Sequence, residues 1–313
     1  MDSKELLKKV RKIEIKTRGL SQNIFAGEYH SAFKGRGMMF SEVREYQYGD
    51  DIRDIDWNVT ARHNRPYVKV YQEERELTVM LLIDMSGSGD FGAIGSQKRD
   101  IIAEISATLA FSASQNNDKI GAIFFTDQIE KYIPPAKGKK QILLIIRELI
   151  DFKPEHNKTD IEGAVKYFAN ASKRACTAFL ISDFIDNSDY KQALQIARNR
   201  HDLMAIQVYD KRDAQLPNIG LIRLADLETG QTRWVDTSSR HTRQIYDKHW
   251  YNNQQHMAEI LRSARVDFIS VATDEDYVRA LMGLFKNRSW RNEDDKGFFL
   301  NNEPHRIFTL AEG

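Results

Sequence analysis

A disulfide framework is beyond this chain, because its 313 residues hold one cysteine. The same scarcity rules out a cysteine-rich zinc module and suits a reducing compartment, with Cys176 read as a small core residue at the start of a strand. No apolar run approaches the roughly 18 residues that a membrane span needs, the longest lying around Leu81 and Ile145. Met1-Asp2-Ser3-Lys4-Glu5 opens a charged stretch with no apolar signal-peptide centre. The net charge is +1, which gives no whole-molecule bias towards nucleic acid or a membrane surface. Internal repeats and low-complexity segments are missing as well. Together these absences lead to the expectation of a cytoplasmic protein with no direct membrane span and no nucleic-acid partner. What is present is ordinary for a globular chain: 41% hydrophobic and 29% charged residues, with length for one large domain or two.

Residues 3–19 set Leu6, Leu7, Val10 and Ile13 among lysines and arginines, a spacing that predicts an amphipathic helix with a basic outer face. Residues 24–76 mix charges of both signs with aromatics and read as an irregular, partly β lead-in, with Tyr67-Val68-Lys69-Val70-Tyr71 as a short strand. Its acidic cluster, Asp50, Asp51, Asp54 and Asp56, lacks the glycine and distal glutamate of an EF-hand loop; the interleaved Arg44, Arg53 and Arg62 point to a structural ion-pair network. From Leu77 the pattern turns regular. Strands are expected at 77–84, 120–127, 177–183, 203–210 and 266–271, with a short edge strand at 129–133 stopped by Pro134-Pro135. Helices are expected at about 98–114, 140–150, 160–172, 190–199, 240–264 and 276–286, and a late hairpin around Thr229-Gly230. Such alternation predicts the α/β class, a doubly wound, mostly parallel sheet. The expected division is 1–76 for the helix and an irregular α+β lead-in, 77–286 for the main domain, and 287–313 for a polar, irregular tail. His249 and His256 stand seven apart on a predicted helix, with no third ligand beside them.

In open α/β sheets, ligands bind at the carboxyl ends of the strands. Three such ends carry oxygen-bearing side chains here: Asp84, Ser86 and Ser88 after the first strand, Thr159 with Asp160 before a helix, and Asp183 after a later strand. A hard divalent cation wants about six oxygens, often some of them water, and this set meets that demand. Thr159-Asp160-Ile161-Glu162 is at the same time a capping box, with Thr159 as N-cap. Gly87-Ser88-Gly89-Asp90-Phe91-Gly92 matches the dinucleotide fingerprint Gly-x-Gly-x-x-Gly. Against that reading, Asp84 and Asp90 would face a pyrophosphate with like charge, and the next helix starts only near Lys98, too late to offer its N-terminus. Mg²⁺-dependent phosphoryl hydrolysis or nucleotide chemistry at the Asp84 loop stays open as the alternative function.

Asp84-x-Ser86-x-Ser88, Thr159 and Asp183 resemble the metal-ion-dependent adhesion site of von Willebrand factor A domains. The lead-in narrows the match. Lys34-Gly35-Arg36-Gly37, Arg44-Glu45-Tyr46, Gly49-Asp50-Asp51-Ile52-Arg53-Asp54-Ile55-Asp56-Trp57 and Glu73-Glu74-Arg75-Glu76 are similar to the family catalogued as domain of unknown function 58. The resemblance implies a von Willebrand A-like, Rossmann-like fold and a non-enzymatic, metal-dependent protein–protein interaction module. It implies Mg²⁺ (or Mn²⁺) held by Asp84, Ser86, Ser88, Thr159 and Asp183. As partner it implies a MoxR-type AAA+ ATPase, in assembly or maturation of protein complexes, with membrane-anchored von Willebrand factor A proteins as further candidates. Gly89-Asp90 departs from the family pattern, which often has an apolar residue such as methionine after the second serine.

Overall fold

Six of the seven residues of Thr78–Asp84 are buried, and they alternate between two cores: Val79, Leu81 and Ile83 on one side, Met80 and Leu82 on the other. A strand apolar on both faces belongs inside a sheet that is covered on both sides. That is its place in the computed structural model, which describes residues 39–63, 65–72, 77–90, 92–93, 96–186, 188–225 and 231–294, together with 11, 13 and 14.

The lead-in supplies β1 (Met39–Glu45), α1 (Trp57–His63) and β2 (Tyr67–Gln72), with β1 antiparallel to β2. After β3 (Thr78–Asp84) come two short strands, β4 (Gly92–Ala93) and β5 (Ser96–Gln97), then α2 (Lys98–Gln115). The chain continues through β6 (Lys119–Phe125), β7 (Ile129–Ala136), α3 (Lys139–Asp151), α4 (Ile161–Ala171), β8 (Thr177–Ser182), α5 (Lys191–Arg200) and β9 (Asp202–Tyr209). It ends with α6 (Lys211–Ala214), the hairpin β10 (Leu221–Ala225) and β11 (Thr232–Asp236), α7 (Arg240–Ser263), β12 (Asp267–Ala272) and α8 (Tyr277–Asp294). The main sheet runs β12-β9-β8-β3-β6-β7, parallel throughout except for the β6–β7 pair. Helices α2, α3 and α8 pack on the Val79 face, and α4, α5 and α7 on the Met80 face. This is the doubly wound α/β class expected from the sequence.

Burying each apolar side chain of β3 contributes about 1.5–3 kcal/mol. Because both faces are apolar, alternation alone does not choose the register. Asp84 does: a slip of the strand would draw its carboxylate into a dry sheet interior. The polar stop after Ile83 therefore places the strand end, and the strand end places the site.

Four local expectations change. The edge strand does not stop at the prolines; β7 carries Pro134 and Pro135 to Ala136, which an edge strand tolerates where the ladder is interrupted by the register shift between Ile120 and Ala122. Helix α8 continues past Asn287 to Asp294, into the stretch read as an irregular tail, and Arg288 anchors it through Asp202 (2.6 Å) and Asp267 (2.7 Å). In the lead-in, β1 is a strand that was not foreseen. The expected ion pairs there are in part present, with other partners: Arg44 pairs with Asp50 at 2.7 Å and Lys69 with Asp56 at 3.6 Å, while Asp51 also caps the Arg53 amide and Asp56 those of Asn58 and Val59. Of the N-terminal helix, residues 11, 13 and 14 are helical, and the rest of 3–19 lies outside the described residues, as does 295–313. No helix among the described residues is long and apolar enough to cross a membrane.

Gly121 sits where β6 and β7 shift register, between Ile120 and Ala122. A Cβ there would meet the Ile133 carbonyl oxygen at 2.7 Å and the Pro135 nitrogen at 2.9 Å, both backbone atoms of the edge strand. Gly121→Ala is expected to destabilise the protein by about 1–3 kcal/mol, read from the midpoint of urea unfolding. An unchanged midpoint would mean that β7 is free to move outward.

Candidate functional site

The carboxyl ends of β3 and β8 lie side by side at the centre of the sheet. From β3 the chain passes to α2 on one face, and from β8 to α5 on the other, so the crevice between them is the topological switch point of the fold.

Asp84 is 5% exposed. Its Oδ1 accepts from the Ser86 amide at 2.9 Å and its Oδ2 from the Ser182 hydroxyl at 2.6 Å. The hydroxyls of Ser86 and Ser88 share a hydrogen bond of 3.0 Å. Residues Gly87–Asp90 form a 3-10 turn, and the Gly87 amide donates to the Asn157 carbonyl at 2.9 Å, tying the first loop to the one before α4. Asp90 belongs to that turn, but its side chain lies outside what is described. On the β8 side, Phe184 has a φ of 58°, a left-handed conformation that costs a non-glycine residue about 1–2 kcal/mol. Its buried ring near Tyr190 and its amide, bonded to the Ser182 hydroxyl at 2.9 Å, hold it there. This bent segment presents Asp183, whose Oδ1 accepts from the Ile185 amide at 3.2 Å and whose carbonyl accepts from Gln207 at 3.1 Å.

The feature that sequence reasoning missed is Lys98. Its side chain enters the same crevice, 1% exposed, and Nζ donates to Asp183 Oδ2 at 2.8 Å and Asp213 Oδ2 at 3.1 Å. Burial pulls its pKa down, but the two carboxylates outweigh burial and raise it above the usual lysine value, so the ammonium stays charged. A signal was available in the sequence: Lys98 opens α2, and a cation at a helix N-terminus opposes the macrodipole. A lysine there has a reason to be elsewhere than in solvent. Asp84 is affected in the opposite sense. Burial first, and then the charge of Asp183, push its pKa up to about 6, against the hydrogen bonds from Ser182 and Ser86.

Of the five residues expected to hold a cation, Asp84, Ser86, Ser88 and Asp183 line one small cavity, together with Lys98 and Ile102. Thr159 is not among the lining residues. Nor is it the cap of α4: Asp160 takes that role, its Oδ1 accepting from the Gly163 amide at 2.8 Å, because the helix starts one residue later than the capping-box reading required. The cavity measures about 10 Å³, room for about one water molecule. Near-octahedral Mg²⁺ needs about six oxygens, and here one of the two carboxylates is engaged by an ammonium. The residues as arranged do not fit the five-ligand Mg²⁺ or Mn²⁺ site. Among the described residues no group of three or more His, Cys, Asp and Glu is placed to hold a metal. The dinucleotide reading also lacks its geometry, since α2 begins at Lys98, beyond Gly87–Gly92.

The family model described as "Protein of unknown function DUF58" matches residues 42–256. The chain is 27% identical over 290 residues to uncharacterized protein Rv1480 of Mycobacterium tuberculosis, covering 92% of this chain and 91% of that relative. Uncharacterized protein Mb1516 of Mycobacterium bovis matches to the same extent, 27% over 290 residues with 92% and 91% covered. Among solved structures, conserved hypothetical protein BatB from Bacteroides thetaiotaomicron is similar, with a TM-score of 0.46, 14% identity, and coverage of 68% of this chain and 99% of that one. An aerotolerance-related membrane protein from Bacteroides fragilis has a TM-score of 0.49, 15% identity, and coverage of 69% and 99%. Proximal thread matrix protein 1 from the mussel byssus, solved with a zinc-occupied MIDAS motif, has a TM-score of 0.36, 15% identity, and coverage of 43% and 38%.

The raised pKa of Asp84 has a direction that stability measurements can read. The folded protein binds this proton more tightly than the unfolded chain, so the contribution of this one group is fully present below about pH 4 and is lost as pH rises through about 6. Asp84→Asn removes that loss. Its urea midpoint is expected to match wild type below about pH 4 and to exceed it above about pH 6. A variant less stable than wild type at neutral pH would show that the fold needs the charge.

Proposed function

The chain belongs to the family described as Protein of unknown function DUF58, and we propose that it is a non-enzymatic protein–protein interaction module whose partner is a MoxR-type AAA+ ATPase. The observation that carries the first half is the closure of the strand-end crevice. Small-molecule sites occupy about 300–1,000 Å³. The crevice between β3 and β8 holds about 10 Å³, so a nucleotide or phosphate ester has no room beside Asp84. What the face can meet is another surface. The lead-in offers one: Tyr48, Ile52 and Trp57 are exposed at 104%, 66% and 67%. All three lie within or beside the stretch 49–57, the most family-specific part of the sequence. Tryptophan and tyrosine are the residues on which interface energy concentrates. The identity of the partner is supported by the family resemblance of that stretch. Because Lys98 engages Asp183, the proposed contact is made without a metal ion.

With the cognate MoxR-type ATPase in purified form, biolayer interferometry should show saturable binding by wild type. Trp57→Ala, at an exposed position where folding is little affected, should weaken it about tenfold or more. Absence of binding by wild type, or turnover of nucleotide or phosphate-ester substrates by this chain, would overturn the reading.

A further inference from the structure

Three carboxylates, Asp84, Asp183 and Asp213, gather around the ends of β3 and β8, and one ammonium stands among them. Lys98 is almost never the kind of residue that is buried unless paired, yet it is 1% exposed. It is also the first residue of α2, the end of a helix that favours anions. Both costs fall on a single position, and in return the crevice gains a permanent positive charge against Asp183 and Asp213.

We infer that Lys98 is the resident cation of this site: its ammonium takes the charge-balancing place of a divalent metal ion, and Mg²⁺ or Mn²⁺ does not bind there while the lysine is present. Three observations carry this. First, Asp183 Oδ2 receives Nζ at 2.8 Å. A metal bound to that carboxylate at about 2.1 Å would press one cation against another in a crevice with room for about one water to screen them. Second, the rest of the predicted set is turned to other partners. Asp84 accepts from the Ser86 amide and the Ser182 hydroxyl, the Ser86 and Ser88 hydroxyls bond to each other, and Thr159 is not among the residues lining the cavity. Third, the space left is that of one water, without the coordination shell of a hydrated dication. The inference stands apart from the partner proposed above, since it is read on the isolated chain.

The test is a thermal melt of the full chain with and without about 10 mM Mn²⁺, paired with calorimetry, on wild type, Lys98→Arg and Lys98→Met. Wild type and Lys98→Arg, which keep a cation, should show neither heat nor a shift in melting temperature. Lys98→Met leaves Asp183 and Asp213 uncompensated, so it should melt lower and recover by about 3 °C or more when Mn²⁺ is added. Adding Asp84→Asn to that variant should abolish the recovery, which separates the site from incidental surface binding. Where Lys98→Met does not melt cooperatively, Lys98→Gln, which is polar and uncharged, replaces it. Saturable Mn²⁺ binding by wild type that is lost in Asp84→Asn would overturn the inference. So would a folded, neutral Lys98 variant that gains nothing from the metal.

Discussion

The ammonium of Lys98 between Asp183 and Asp213 is the interaction on which the strand-end architecture depends. Removing one member of a buried pair leaves an uncompensated charge, at a cost of about 3–5 kcal/mol. Buried pairs add little net stability when complete, because desolvation offsets their attraction. Their effect is to make one arrangement of the surrounding chain much better than its neighbours. Here the arrangement joins three elements distant in sequence: the start of α2, the bend after β8, and α6, where Asp213 also closes a capping box with Asp210.

That pair is the end of a longer polar seam across the top of the sheet. Ser270 on β12 donates to Gln207 on β9 at 2.8 Å, and Gln207 donates to the Asp183 carbonyl at 3.1 Å. Ser182 at the end of β8 then donates to Asp84 on β3 at 2.6 Å. Four adjacent strands are thus linked through side chains at one level, above cores that are apolar on both faces. Hydrogen bonds in such surroundings polarise one another and tolerate little displacement. The left-handed Phe184 fits this account: its strain is held by a seam that fixes the residues on either side.

The seam also explains what the sequence could and could not reveal. Burial is local in its signal, so the alternation of apolar strands and amphipathic helices from Leu77 onward placed most elements to within a residue or two, and brought Asp84 and Asp183 to one crevice. Features that depend on distant partners were not legible. Met39–Glu45 has no clean alternation and becomes a strand because β2 pairs with it. The polar stretch after Asn287 stays helical because Arg288 finds Asp202 and Asp267. Thr159 has the spacing of a ligand, but a shift of one residue at the helix start hands the cap to Asp160 and leaves Thr159 off the cavity. Lys98 was the largest omission. As a letter it is one of many lysines, and only its place at the first turn of α2 distinguishes it.

A cation supplied by the chain differs in kind from one supplied by solution. A metal ion enters and leaves with its concentration, so a site built on it is conditional. A tethered ammonium is always present at high effective concentration, because its helix holds it in the crevice. It also brings one charge where a dication brings two, and it has no open coordination position to offer a partner's carboxylate. A crevice balanced in this way is suited to structural closure. Tyr48, Ile52 and Trp57 of the lead-in are exposed, as are Leu221, Trp234 and Tyr251, while the strand ends are drawn inward around Asp84, Asp183 and Lys98. The oxygens that first suggested a metal-dependent contact thus serve to hold the carboxyl ends of the central strands together.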